Sequence, residues 1–249
     1  MRWHYMSINL ALFYFVFTGP KAISQQSQSD SIFYQSVTSS TINIFYLLTS
    51  TQSGLYNGPE YPGYDFHFKK GSPFFYIDHF TPVDIVYDGI LYKDVPMLYD
   101  NLKDILVLED SLYPLQLHSR RIDEFTIGGH HFVRPQKSDI NNSVFDNQFY
   151  ELLSAGEISV LKKQVKTIVQ DVSANEGIER SIAESENYYI KKNNVFYLIR
   201  DQNDLIAIFH DREKEIRDFL KKNRLKFRKD RENTLLRTAA YYEQITRNI

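Results

Sequence analysis

Eight of the ten glycines and seven of the eight prolines fall between residues 51 and 170, in the breaks between short apolar runs. Punctuation this dense leaves no room there for long helices and predicts successive antiparallel hairpins. Asp88-Gly89 is a strong type I′ signal, because both central positions of that turn need positive φ. A two-residue loop there pairs Tyr87 with Ile90, Ile85 with Tyr92 and Val83 with Asp94 on one face. It also sets Val86 opposite Leu91 and Asp84 opposite Lys93 on the other, the last an opposite-charge pair worth roughly 0.2–1 kcal/mol. Pro96 has no N–H to give to a ladder, which places an edge or a bend in the second strand.

EFTIGGHHFVR repeats the pattern. With Gly128-Gly129 as the loop, Ile127 meets His130, Phe125 meets Phe132 and Asp123 meets Arg134. FYELLSAGEISVL reads as a third hairpin, followed by a polar linker around 173–177. YYIKKNNVFYLIR reads as a fourth, turning at Asn193-Asn194 and placing Tyr188, Ile190, Tyr197 and Ile199 on one face.

Helical spacing flanks this region. Phe33, Val37, Thr41, Ile44 and Leu48 recur every three or four residues, predicting a helix over about 30–49. At the other end, Asp204 can cap a short helix running to Phe209. Ile216, Phe219 and Leu220 mark the next helix, and Leu235, Leu236, Ala239, Ala240 and Tyr242 the last. The expected class is α+β: an N-terminal helix, an antiparallel hairpin-rich sheet able to curl into a partial barrel or roll (51–200), and C-terminal helices (204–247).

The first residues predict export. Arg2 precedes an apolar run from Leu10 to Phe17, Gly19-Pro20 breaks it, and Ala22 and Ser24 stand at −3 and −1 before Gln25. Residues 1–24 thus read as a signal peptide and 25–249 as a single secreted or periplasmic domain. The apolar run is shorter than the about 20 residues that a membrane span needs. Without 1–24 the net charge is −4. There is no cysteine, which excludes disulfides, thiolate metal sites, cysteine nucleophiles and a lipidated cysteine. Aromatic residues make up 15% of the chain and are nearly all Tyr and Phe, as suits pleated surfaces.

Several stretches resemble a group of uncharacterised secreted proteins of bacteroidete-type bacteria. These are LYNGPEYPGY (Leu55–Tyr64), GSPFF (Gly71–Phe75), DGILYKDVPMLYD (Asp88–Asp100), GGHHFVR (Gly128–Arg134) and KKNRLKFRKDRENTLLRTAAYY (Lys221–Tyr242). The resemblance implies a signal peptide, a β-rich body and a helical C-terminus. It brings no established activity, and so no catalytic residues.

Candidate chemistry is sparse. No HExxH, GxSxG, SxxK or phosphate-binding glycine loop occurs, and no cofactor or catalytic set is indicated. His130 and His131 are adjacent in a strand and leave opposite faces, so they cannot share a metal ion. The best binding candidate is the loop carrying Tyr56, Asn57, Glu60, Tyr61 and Tyr64, where amphipathic rings mix with polar groups as in surfaces that recognise sugars or peptides. The plainer reading is that these tyrosines cover a sheet edge. The leading expectation is an exported, non-catalytic envelope or secreted protein that binds a glycan or a macromolecular partner. The alternative is an extracellular hydrolase drawing on Glu60, Asp65, His67, Asp78, His79, His118 and His131, in loops 56–79 and 118–131. Residues 212–231 hold ten bases and four acids, a net +6. That run suits an anionic surface or partner, or else a solvated helix face behind a docking stripe of Ile216, Phe219 and Leu220. Export argues against nucleic acid.

Overall fold

The structure, a computed structural model, describes residues 54–135, 148–173 and 177–247. The expected signal peptide and the helix over 30–49 lie outside these residues. Ten antiparallel strands form one sheet: β1 (Thr81–Tyr87), β2 (Ile90–Asp100), β3 (Ile105–Leu108), β4 (Leu115–Gln116), β5 (Ile122–Ile127), β6 (His130–Val133), β7 (Tyr150–Ser154), β8 (Ile158–Ser173), β9 (Gly177–Lys192) and β10 (Val195–Ile199). Their order is β10-β9-β8-β7-β6-β5-β1-β2-β3-β4, so the sheet ends in two separate edges and does not close. Three helices follow, α1 (Gln202–Ile208), α2 (Glu213–Lys222) and α3 (Arg231–Arg247). No helix among the described residues is long and apolar enough to cross a membrane.

The turns form where the chemistry predicts. Asp88-Gly89, Gly128-Gly129 and Asn193-Asn194 all take positive φ at both positions, as type I′ hairpins require. Tyr87 faces Ile90 and Ile85 faces Tyr92, but Val83 meets Val95 rather than Asp94. Asp94 adopts φ 53° and gives its amide to the Asp84 carboxylate at 3.0 Å. The extra residue is a bulge; it brings Val83 against another valine and takes Asp84 away from Lys93. Pro82 and Pro96 then face each other, where neither strand needs to donate. β8 and β9 stay paired from Ile158–Lys192 out to Ser173–Gly177, so both ends of the expected linker belong to strands, while 174–176 lie outside the described residues. At the helices, Asp201 is the N-cap of α1, accepting from the Asn203 and Asp204 amides. Asp204 sits in the first turn and accepts from Arg200 N.

Two apolar cores share one face of the sheet. The first collects Val83, Ile85, Tyr87, Met97, Tyr99, Phe125, Ile127, Phe132 and Phe149, all buried. The second joins Ile158, Val160, Tyr188 and Ile190 to Leu205, Ile216, Leu220, Phe227, Leu235 and Tyr242 of the helical region. Between them runs a polar seam. Lys162 pairs with Glu151 at 2.9 Å and Glu232 at 3.1 Å, and His130 Nδ1 lies 2.6 Å from Glu151. Burial disfavours the Lys162 charge, yet the two carboxylates outweigh it and raise the pKa above the ordinary lysine value. Lys166, with a side chain only 3% exposed, pairs with Glu184 and donates to the Ser72 and Phe74 carbonyls at 2.8 and 2.7 Å. Buried cations survive here because each has carboxylate or carbonyl partners.

Residues 54–80 form a strap across this face rather than strands. Lys69 N donates to Arg180 O at 2.7 Å and Ile182 N to Lys70 O at 2.9 Å, so the strap borders β9. Gly71 sits at φ 80°, where a Cβ would lie 2.9 Å from Ile182 Cβ. Only glycine satisfies both that conformation and that approach.

The helices are clamped to the sheet at Lys192. Its Nζ donates to Asp211 at 2.9 Å and to Ile208 O at 3.1 Å, and Tyr242 OH donates to the other Asp211 oxygen at 2.7 Å. Burial raises the Asp211 pKa, but the Lys192 and Tyr242 hydrogen bonds exceed that and hold it below the ordinary 3.8. The same partners hold Lys192, against its own desolvation, above 10.5. The clamp therefore stabilises the fold between these limits. Asp211's share fades as pH falls from 3.8 through its lower folded value, and Lys192's as pH rises from 10.5 through its higher one. Asp211→Asn should flatten the acid limb of a stability–pH curve measured by urea unfolding. An unchanged limb would remove Asp211 from that role.

Candidate functional site

The tyrosine loop is built into the sheet edge. Glu60 bridges to Leu115 of β4, and Tyr61 N→Pro114 O and Gln116 N→Pro59 O, both 2.8 Å, fix the loop alongside that strand. Tyr61 and Tyr64 donate their hydroxyls to Asp100 at 2.7 and 2.8 Å, and Asp100 is fully buried. Burial, and then the Asp100 carboxylate, push both phenols well above the usual tyrosine range. Lys103 Nζ donates to Gly63 O at 2.6 Å and lies 4.2 Å from the Tyr64 ring centroid. The structure thus brings Tyr61 and Tyr64 together on an internal carboxylate. Tyr56 packs partly against the first core, and Asn57 and Glu60 are exposed.

The acidic and histidine set stays dispersed. Asp78 and His79, sequence neighbours, come to 3.5 Å, but their side chains are 82% and 77% exposed. His131 lies 3.4 Å from Glu124 and 3.1 Å from Thr126 Oγ1, whereas His130 reaches Glu151 on the other face. Glu60, Asp65, His67 and His118 are exposed. Among the described residues, no three His, Asp or Glu side chains gather as a metal ion would require.

A concavity of about 880 Å³ lies in the helical region, between the start of α1 and the α2–α3 connection. Ile206, Leu220, Leu225 and Phe227 form its floor, and Arg217, Lys221, Arg224, Lys226, Arg228 and Lys229 surround it, against one acid, Asp201. Asp201 is occupied as the α1 cap, and the Asp204 and Asn203 amides hold its pKa below the ordinary value. Arg217 pairs with Glu213 at 2.8 Å. The other five cations make no ion pair within 4.0 Å among the described residues.

The local sequence explains this crowding. Ile216 and Leu220 point α2 into the second core, which turns Arg217 and Lys221 outward. After the helix, Leu225 and Phe227 are buried while Arg224, Lys226 and Arg228 are exposed, an alternation that plants the chain on the core and lifts every second side chain to the rim. The charge run was visible in the sequence; its concave shape comes from α1 and its N-cap, which contribute Gln202, Asn203 and Ile206, and Asp201.

Comparison with known protein families, with characterised proteins and with solved structures returns no match. No relative therefore bears on the resemblance to secreted bacteroidete proteins.

Proposed function

We propose that this chain is an exported, non-catalytic envelope or secreted protein that binds an anionic glycan in the basic cleft. One observation carries this reading: five cations that make no ion pair within 4.0 Å among the described residues share a single concavity. Like charges held together repel, and a polyanionic ligand relieves that repulsion. A concave site admits a flexible chain, whereas a planar bilayer would touch only its rim. Export, read from the leader, favours a glycan over nucleic acid. Among the described residues, the acids and histidines of the hydrolase alternative do not converge in a cleft.

The test is titration of residues 25–249 with alginate, heparin and neutral dextran. The acidic polysaccharides should bind, dextran should not, and affinity should fall as salt rises, since exposed charges are screened beyond about 8–10 Å. Lys221→Glu with Arg228→Glu should weaken binding at least about tenfold, or 1.4 kcal/mol. Lys93→Glu, an exposed lysine on β2, serves as the control. Equal affinity in the cleft variant, or indifference to salt, would sink the proposal.

A further inference from the structure

We infer that the cleft selects phosphomonoester groups, and that Arg224 is held in a strained backbone conformation to meet them. The inference rests on the reading of the cleft as an anionic-glycan site and narrows its ligand class.

Arg224 carries the first observation. α2 ends in a Schellman motif: Leu225 N donates to Leu220 O at 2.9 Å and Arg224 N to Lys221 O at 3.1 Å. In that motif the residue after the cap is left-handed and usually glycine. Here it is Arg224, at φ 54°. Seven non-glycine residues among those described have positive φ, and five are Asp or Asn, which tolerate that region. The sixth, Tyr76, is 63% exposed, but its ring contacts those of Phe75 and His130, with centroids 4.4 and 5.5 Å away. Arg224 is exposed and makes no side-chain hydrogen bond or ion pair among the described residues. A strained residue whose side chain supports nothing internal points to an external partner.

Charge density supplies the second observation. Five cations that make no ion pair within 4.0 Å among the described residues, one of them (Arg228) near enough to Asp201 to lower its pKa, stand around a space of about 880 Å³, the size of a site for one drug-sized ligand. A uronate sugar brings one negative charge per ring. A phosphomonoester brings about −1.5 to −2 and three acceptor oxygens at pH 7, so two such groups on one sugar approach the charge left by the five cations and Asp201. Guanidinium forks bind such oxygens in bidentate fashion.

The test compares glucose 1,6-bisphosphate with trigalacturonate by calorimetry at pH 7.5 and 5.0. The bisphosphate should bind at least about tenfold tighter and weaken at pH 5.0, because the second phosphate pKa is near 6. Arg224→Gly should raise the melting temperature by about 2–4 °C, the scale expected for relieved strain in a chain of this size, while reducing the preference to within about threefold. Arg224→Lys should retain part of it. Equal affinity for the two sugars, or an unchanged preference in Arg224→Gly, would overturn this inference, and alginate binding sensitive to Lys221→Glu would leave the broader reading standing. Loss of all polyanion binding would overturn both. Phosphorylated mannan and phosphatidic acid vesicles separate the two sources of such groups. Preference for the vesicles would overturn assignment to a glycan.

Discussion

Replacing Asp104 by alanine is expected to destabilise the fold by about 3–5 kcal/mol, the usual result of stranding one partner of a buried ion pair. Asp104 Oδ1 accepts from Tyr99 OH at 2.7 Å and from Lys163 Nζ at 2.9 Å, and Oδ2 accepts the Phe149 amide at 3.2 Å. The Lys163 side chain is 8% exposed and the Asp104 side chain 12%, so little water could replace the lost carboxylate. Burial, and then the Asp104 charge, push the Tyr99 phenol far above the usual range, so that hydroxyl remains a donor in need of an acceptor. Alanine would also have to occupy φ 58°, which asparagine tolerates better. Asp104→Asn should therefore cost less than Asp104→Ala. Asp104→Asn combined with Lys163→Met should cost less than the two changes summed, by at least about 1 kcal/mol if the pair is coupled. Equilibrium urea unfolding measures all four, and a loss under about 1 kcal/mol in Asp104→Ala would mean that water fills the gap.

Phe125→Ala should cost a comparable amount, about 3–5 kcal/mol. Phe125 is 1% exposed. Its ring stacks on Phe132 at 4.8 Å and 11°, and meets Phe149 and Tyr99 edge-on at 5.0 and 5.1 Å. Removing it opens a void bounded by three rigid rings, which cannot collapse as flexible aliphatic neighbours would. Phe125→Leu should recover much of the loss because it restores most of the volume. An unfolding free energy within about 0.5 kcal/mol of wild type for Phe125→Ala would contradict this packing.

The hairpins were readable because their turns depend on adjacent residues alone. Asp88-Gly89, Gly128-Gly129 and Asn193-Asn194 state their conformation locally, and the register beside each follows by counting. Counting fails at Asp94, where an aspartate able to take positive φ inserts a bulge that nothing in the alternation announces. The outer part of β8 and β9 escaped for another reason. Val172 and Ile178, facing each other, are 80% and 54% exposed, so burial does not impose the contrast that marks a half-buried strand. The polar seam was hidden as well: Lys162, Lys163 and Lys166 look solvated in sequence, and their carboxylate partners are 11, 59 and 18 residues away at the nearest. At the tyrosine loop, composition located the rings but not their acceptor, Asp100, which is 36 residues beyond Tyr64. The basic cleft was half legible. Its charges lie in one run, whereas its floor and far wall need the tertiary fold.

The strap at 54–80 has a consequence for the order of events during folding. Its border with β9 joins residues about 110 positions apart, as in the Lys69–Glu179 ion pair. Loop closure over such a distance carries an entropic penalty that must be met before any contact compensates it. A chain emerging N-terminus first presents the strap before β9 exists. The strap should therefore remain undocked until the last third of the molecule has formed, and its locking should be a late, slow kinetic phase that reports completion of the whole fold.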